Sequence, residues 1–118
     1  MTQSEQTSEE TQAVNVAGIA DELMAQAHAA GASQRAARTL FHDRGLRATT
    51  IALCAGAELA EHASPPAALL SVQQGRVLLR GDGRQWQLDA GDVIPIPPER
   101  HSLLAETDAV VLLTVRHD

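Results

Sequence analysis

The stretch from Gly91 to His101 reads GDVIPIPPERH, and it decides the fold. It opens with a Gly-Asp turn signal, continues with alternating apolar residues, and ends with two adjacent prolines just before a histidine. Proline cannot donate a hydrogen bond to a β-ladder, so this segment is predicted to lie at the edge or corner of a sheet. The pair Pro97-Pro98 should end a strand immediately before the histidine.

Short candidate strands occupy most of the chain on both sides of this stretch. Apolar runs that alternate with polar residues, or that are short and continuous, are bounded by Gly, Pro and Asp, which predicts β-strands. The predicted strands are 36–41, 46–54, 58–62, 67–74, 76–80, 85–88, 93–96, 101–105 and 109–116. Many short strands with frequent turn signals favour an antiparallel sandwich or barrel.

The N-terminal part of the chain has a different pattern. Residues 1–14 are polar and acidic, which predicts a disordered tail. In residues 15–32, apolar side chains such as Val16 and Leu23 recur at helical spacing and predict an amphipathic helix. The apolar face of that helix must cover either the barrel or a partner subunit. Residues 33–118 are then left for a single β-domain.

Composition restricts the classes of function. The 118 residues suit one domain, and the formal net charge is −6 with the positive charges spread along the chain, so binding to nucleic acid is disfavoured. The only aromatic residues are Phe41 and Trp86, which argues against base stacking. No apolar run approaches the roughly 18 residues of a membrane span. Because no signal peptide is evident either, we expect a cytoplasmic protein with no membrane partner.

Two segments resemble the two sequence motifs of the cupin superfamily. Gly56, His62 and Gly75 stand at the spacing of the first motif, and the stretch 91–101 follows the second. The resemblance covers roughly residues 45–116. It implies an all-β fold, an antiparallel jelly-roll (double-stranded β-helix) barrel, here preceded by an N-terminal α-helix. It also implies a homodimer, because cupins are commonly dimeric.

The chain departs from both family motifs at the positions that bind metal. Ser64 stands where the first motif has its second histidine, and Ala68 stands where it has a glutamate. In the second motif Glu99 replaces a glycine, and His101 comes one residue early. Carried over position by position, the resemblance leaves His62 and His101 as the ligands of a divalent transition metal (Fe, Mn, Ni, Cu or Zn).

A third metal ligand would have to come from outside the motifs. Glu58 is the best carboxylate candidate, because it lies four residues before His62 and strict alternation would put both side chains on one face. The alternative is that Glu58 begins the strand and points to water. The one-residue shortening before His101 leaves the face of that side chain open as well, since a slip of one residue reverses the face.

The ligand pocket is predicted at the mouth of the barrel. Its candidate residues are His62, Ser64, Trp86, Arg100 and His101. Trp86 could instead pack in the core or in a dimer seam, and Arg100 could simply be exposed after the two prolines.

Two further residues have no predicted functional role. Cys54, the only cysteine, is predicted to be a small buried apolar residue, because it follows an apolar run. His28, on the polar flank of the helix, is predicted to be solvated.

Three functions remain open from the sequence. The first is a non-catalytic cupin that binds a small molecule in the barrel, favoured by the missing metal ligands. The second is a metal-dependent oxygenase or isomerase that uses His62 and His101. The third is a non-catalytic dimeric scaffold, which a barrel filled by its own side chains would favour over the first. No catalytic residue can be assigned from the sequence.

Overall fold

The computed structural model describes residues 11–62 and 67–116, without the side chains of Glu61 and His62. The predicted disordered tail therefore lies largely outside the described residues. The first element of the described residues is helix α1 (Val16–Ala29), which is followed by a short 3-10 turn (Gly31–Ser33). Within the described ranges, no helix combines the length and apolarity needed to cross a bilayer.

Each of the predicted strands is present, and the ends agree to within two residues. The strands are β1 (Arg35–Asp43), β2 (Leu46–Leu53), β3 (Glu58–His62), β4 (Ala67–Gln74), β5 (Arg76–Gly81), β6 (Arg84–Asp89), β7 (Val93–Pro95), β8 (His101–Ala105) and β9 (Ala109–Arg116). As the adjacent prolines predicted, β7 ends before Pro97 and pairs on one side only, at the edge of a sheet.

The strands form two antiparallel sheets. One has five strands in the order β1-β2-β9-β4-β7, and the other has four in the order β3-β8-β5-β6. This confirms the predicted antiparallel jelly-roll fold with an N-terminal helix. The two sheets are hydrogen-bonded separately in the described residues, so the fold there is a two-layer sandwich and not a fully closed barrel.

The main core lies between the two sheets and is almost entirely aliphatic. Alternate residues of strands such as β2, β4, β5 and β8 point inward, and the scarcity of aromatic residues leaves the interior to Leu, Val and Ala. The fully buried members of this interior cluster include Leu53, Val72, Val77, Leu79 and Val111.

A second, smaller core lies on the outer face of the five-stranded sheet, beneath α1. The helix buries Ala20, Leu23 and Ala27 against Ala52 of β2 and Val110 of β9. Its N-terminus is capped by Asn15, whose side-chain oxygen accepts a hydrogen bond of 3.0 Å from the backbone N–H of Gly18. The apolar face of the helix therefore covers the sheet of its own chain.

Candidate functional site

The interior of the sandwich contains one polar side chain at the edge of an aliphatic cavity. His101, the first residue of β8, is only 4% exposed and lines a cavity of about 30 Å³. The other described residues around this cavity are aliphatic: Ile51, Leu59, Leu70, Leu79, Ile96, Leu103, Val111 and Leu113. A small apolar cavity with one polar group at its edge can orient the tip of a ligand.

The orientation of the His101 ring is fixed by the backbone. Its Nδ1 lies 3.1 Å from the carbonyl oxygen of Glu99, which can only accept a hydrogen bond, so Nδ1 carries the hydrogen. In the neutral ring Nε2 then has the lone pair and can accept a hydrogen bond or bind an ion. The register of β3 and β8 places the backbone of His62 directly opposite His101, although the side chain of His62 lies outside the described residues.

Strict alternation between Glu58 and His62 is interrupted by a bulge in β3, and Glu58 takes the alternative orientation, toward solvent. Glu58 pairs with Leu104 and His62 pairs with His101, and the register shifts between Leu59 and His62. Leu104 and His101 are three positions apart on β8, and residues at an odd spacing on a strand lie on opposite faces. Glu58, which pairs with Leu104, therefore belongs to the opposite face from the His101 position. Glu58 is exposed, while Leu59 lines the cavity.

Of the five predicted pocket residues, only His101 is described as lining the cavity. Trp86 is half-buried and packs against the interior cluster, with the guanidinium carbon of Arg84 5.0 Å from the centre of its ring. Arg100 is exposed, and Ser64 lies outside the described residues. Trp86 thus packs against the core, as the alternative to a pocket position stated. Arg100 is exposed after the two prolines, as its alternative stated.

The donors described around His101 do not fit the metal centre that the resemblance implies. A transition-metal site of this kind needs about three or four protein ligands. The lining offers one imidazole and otherwise only aliphatic groups, and Glu58 points away. Even with His62 the set would have two ligands, so no reaction step is assigned to a metal at this position.

A second group of chemically capable side chains lies on the outer face of the five-stranded sheet. The Sγ of Cys54 is 3.6 Å from Nδ1 of His28, and Nε2 of His28 is 2.8 Å from Oδ2 of Asp108. One potential ligand atom from each residue can be chosen so that all three lie within 4.8 Å of one another. We call His28, Cys54 and Asp108 the outer-face cluster.

Three separate chain segments build the outer-face cluster. His28 lies in the last turn of α1, Cys54 directly follows β2, and Asp108 lies in the turn between β8 and β9. The Oδ1 of Asp108 accepts a hydrogen bond of 2.8 Å from the backbone N–H of Ala55. This bond, aided by His28, holds the pKa of the Asp108 carboxyl below its ordinary value.

No sequence pattern indicates that these three residues lie close together in the fold. Cys54 is buried as predicted, at 6% exposure, and His28 is exposed as predicted, but its partners were not foreseen and Asp108 was not singled out. Residues 28, 54 and 108 share no local pattern. The available signal was the helical stripe of Ala20, Leu23 and Ala27. This stripe sets which face of α1 packs on the sheet, and so it also brings His28 to the edge of the sheet.

An apolar groove lies elsewhere on the outer face of the five-stranded sheet. It has a volume of about 310 Å³ and includes Leu46, Leu69 and Pro95 in its lining. Leu46 and Leu69 are 52% and 49% exposed, and Val93 of the neighbouring strand β7 is 60% exposed. Contiguous exposed aliphatic side chains of this kind often mark an interaction surface.

Comparison with known proteins identifies relatives by structure. No family model and no curated protein sequence matches the chain. Its fold is similar to that of a conserved protein of unknown function from Streptococcus pyogenes, with 27% identity over 74% of this chain and 77% of that one and a TM-score of 0.67. An RmlC-like cupin from Shewanella frigidimarina has 25% identity over 75% of this chain and 80% of that one, also with a TM-score of 0.67. A cupin superfamily protein from Desulfitobacterium hafniense has 16% identity over 71% and 78%, with the same TM-score of 0.67.

Proposed function

We propose that this chain, which belongs to the cupin superfamily, is a binding protein that takes a small amphiphilic molecule at the His101 end of its sandwich. The observation that carries the proposal is the buried imidazole of His101 at the edge of an otherwise aliphatic cavity. A polar head would be recognised by His101, and an apolar tip would enter the cavity. Because the described lining contains no set of catalytic groups, the proposal is binding without chemistry.

The size of the cavity limits what can enter it. At about 30 Å³ it is far smaller than the roughly 300–1,000 Å³ of ordinary ligand pockets. It has room for about one or two water-sized groups, which corresponds to the end of an alkyl chain. The rest of the ligand would lie outside the cavity. A head group with a hydroxyl, which can both donate and accept a hydrogen bond, suits an imidazole.

A series of unbranched alcohols from ethanol to hexanol tests this proposal. Ligand-observed NMR should detect binding with an optimum at a short chain. His101→Phe should weaken it about fivefold, because one hydrogen bond of about 1 kcal/mol is lost. Leu113→Ala, which enlarges the cavity, should move the optimum to a longer alcohol. Absence of binding throughout the series, or an optimum that Leu113→Ala leaves in place, would contradict the proposal.

A second candidate function is the dimeric scaffold, with the apolar groove as the seam. The exposure of Leu46, Leu69 and Val93 favours it, and a second copy of the chain would cover them in a two-fold interface. Size-exclusion chromatography with light scattering should give a dimer that Leu69→Asp converts to a monomer. Gln87→Asp, at an exposed position of the other sheet, should leave the mass unchanged. A monomeric wild-type protein at high concentration would exclude this function.

The metal-dependent enzyme has the least support of the three readings. Elemental analysis of untagged protein separates it from the others, because a metal in the barrel should be lost in His62→Ala and in His101→Ala. We expect the His62→Ala and His101→Ala variants to have the same metal content as the wild-type protein.

A further inference from the structure

We propose that the outer-face cluster of His28, Cys54 and Asp108 is a binding site for a divalent ion of the zinc class. The site is separate from the His101 cavity, because it lies on the opposite face of the five-stranded sheet. It stands whether or not the proposed ligand binding at His101 is correct.

The chemistry of the three donors matches such an ion. A thiolate, an imidazole and a carboxylate are the ligand types that Zn²⁺ takes in proteins, and three protein ligands leave a fourth position for water. The soft sulfur of Cys54 disfavours Mg²⁺ and Ca²⁺, which select oxygen ligands. The two negative charges of a Cys54 thiolate and an Asp108 carboxylate would balance the charge of the ion.

The positions of the atoms are close to those of a bound state. Bonds of about 2.3 Å to sulfur and about 2.0 Å to nitrogen, at tetrahedral angles, separate the two ligand atoms by about 3.5 Å. Sγ of Cys54 and Nδ1 of His28 are 3.6 Å apart. The third ligand must move from its present position, because Oδ2 of Asp108 is hydrogen-bonded to Nε2 on the other side of the ring. Binding therefore exchanges that hydrogen bond for a metal–oxygen bond.

Burial and exposure at the cluster suit the entry of an ion. Cys54 is 6% exposed, whereas the side chains of His28 and Asp108 are 55% and 45% exposed, so the sulfur forms the floor of a site that opens to solvent. Because the Asp108 side chain is partly exposed, it has room to change its position when the third bond forms.

The surroundings of the cluster favour a cation. The backbone N–H of Ala55 donates a hydrogen bond of 2.8 Å to Oδ1 of Asp108, which holds this carboxylate at the cluster. His28 lies in the last turn of α1, where the helix carries partial negative charge. Binding would displace the proton of the Cys54 thiol into solvent, as metal binding to cysteine does.

The proposal is tested with the full chain, kept reduced, and with the metal alone. Calorimetric titration with Zn²⁺ should give one ion per chain, and Co²⁺ should produce the absorption band of a cobalt–thiolate bond. Cys54→Ser should abolish that band and weaken Zn²⁺ binding by at least about 100-fold, and His28→Gln should weaken it by a similar factor, since each removes a ligand. Asp108→Asn should weaken it by about 10- to 100-fold.

Two control variants show whether Zn²⁺ binding depends on the outer-face cluster. His42→Gln removes an exposed histidine of β1, outside the cluster, and should leave the affinity unchanged. His101→Phe, in the interior, should also leave it unchanged, although it weakens alcohol binding under the first proposal. Absence of a cobalt–thiolate band in folded wild-type protein would overturn the zinc site. Zn²⁺ binding that survives Cys54→Ser, or that is lost in His42→Gln, would do the same.

Discussion

The interior between the two sheets and the outer face of the five-stranded sheet hold their polar groups in different ways. In the interior, His101 on β8 of the four-stranded sheet is placed by the register of that strand and by the carbonyl of Glu99, two residues away. On the outer face, the cluster of His28, Cys54 and Asp108 joins a helix end and two turns that are far apart in sequence. The inner position is therefore set locally, whereas the outer cluster exists only after α1 has docked. Perturbations of the two faces should differ accordingly.

The largest expected effect is in the interior. Leu79→Ala removes a side chain that is 1% exposed between the two sheets and should lower the free energy of unfolding by about 4 kcal/mol. Leu23→Ala, equally buried under α1, should cost about 3 kcal/mol, because the neighbouring helix can settle into the space more easily than two sheets can. Urea denaturation measures both. An equal or larger loss for Leu23→Ala would remove the distinction between the two cores.

The next effect lies at the junction between the faces. Gly75 has a φ of 77°, and a Cβ at this position would lie 2.0 Å from the backbone oxygen of Asp108. Gly75→Ala should therefore cost about 2–3 kcal/mol through strain and displacement of the turn. Because that turn carries Asp108, the substitution should also weaken Zn²⁺ binding at the outer-face cluster. Gly83→Ala is the control, since its φ is also positive but no atom lies within 4 Å of the added Cβ.

A smaller effect, of opposite sign, is expected at Thr50. Its hydroxyl is fully buried on β2 and is the one buried side-chain polar atom in the described ranges that lacks a hydrogen-bond partner. Thr50→Val keeps the shape and removes the unsatisfied group, so it should stabilise the protein by about 1 kcal/mol. A rise in the thermal midpoint would be the readout. Destabilisation instead would mean that the hydroxyl is hydrated or bonded in solution.

The smallest effect concerns the pH dependence of the outer-face cluster. The pKa of Asp108 is lowered in the folded protein, mainly by the N–H of Ala55, so its ionised form adds stability above the ordinary carboxyl pKa. That contribution is lost as pH falls through the lowered pKa. Asp108→Asn should therefore cost about 0.5 kcal/mol at pH 7 and less at pH 2. Urea midpoints at the two pH values test this, and a difference that persisted undiminished at pH 2 would contradict it.

Much of the fold could be predicted because its signals are local. The alternation of Val77 and Leu79, the turn at Gly83 and the proline pair after β7 each depend on a few neighbouring residues. The site could be predicted only in part. His101 follows from the motif around it, whereas the position of Glu58 depends on a bulge that leaves no trace in a period-two pattern. The outer-face cluster depends on where α1 docks, which only tertiary packing decides.

The bulge in β3 also has a consequence for protein design. It makes Leu59, and not Glu58, the residue of that segment that faces the His101 cavity. A carboxylate installed by Leu59→Glu would stand on the same face as the imidazole, at the cost of burying a charge. One substitution would thus add the carboxylate that the described lining of this cavity lacks. The same extra residue that moves Glu58 to the surface therefore marks where new chemistry could be engineered, or could arise in evolution.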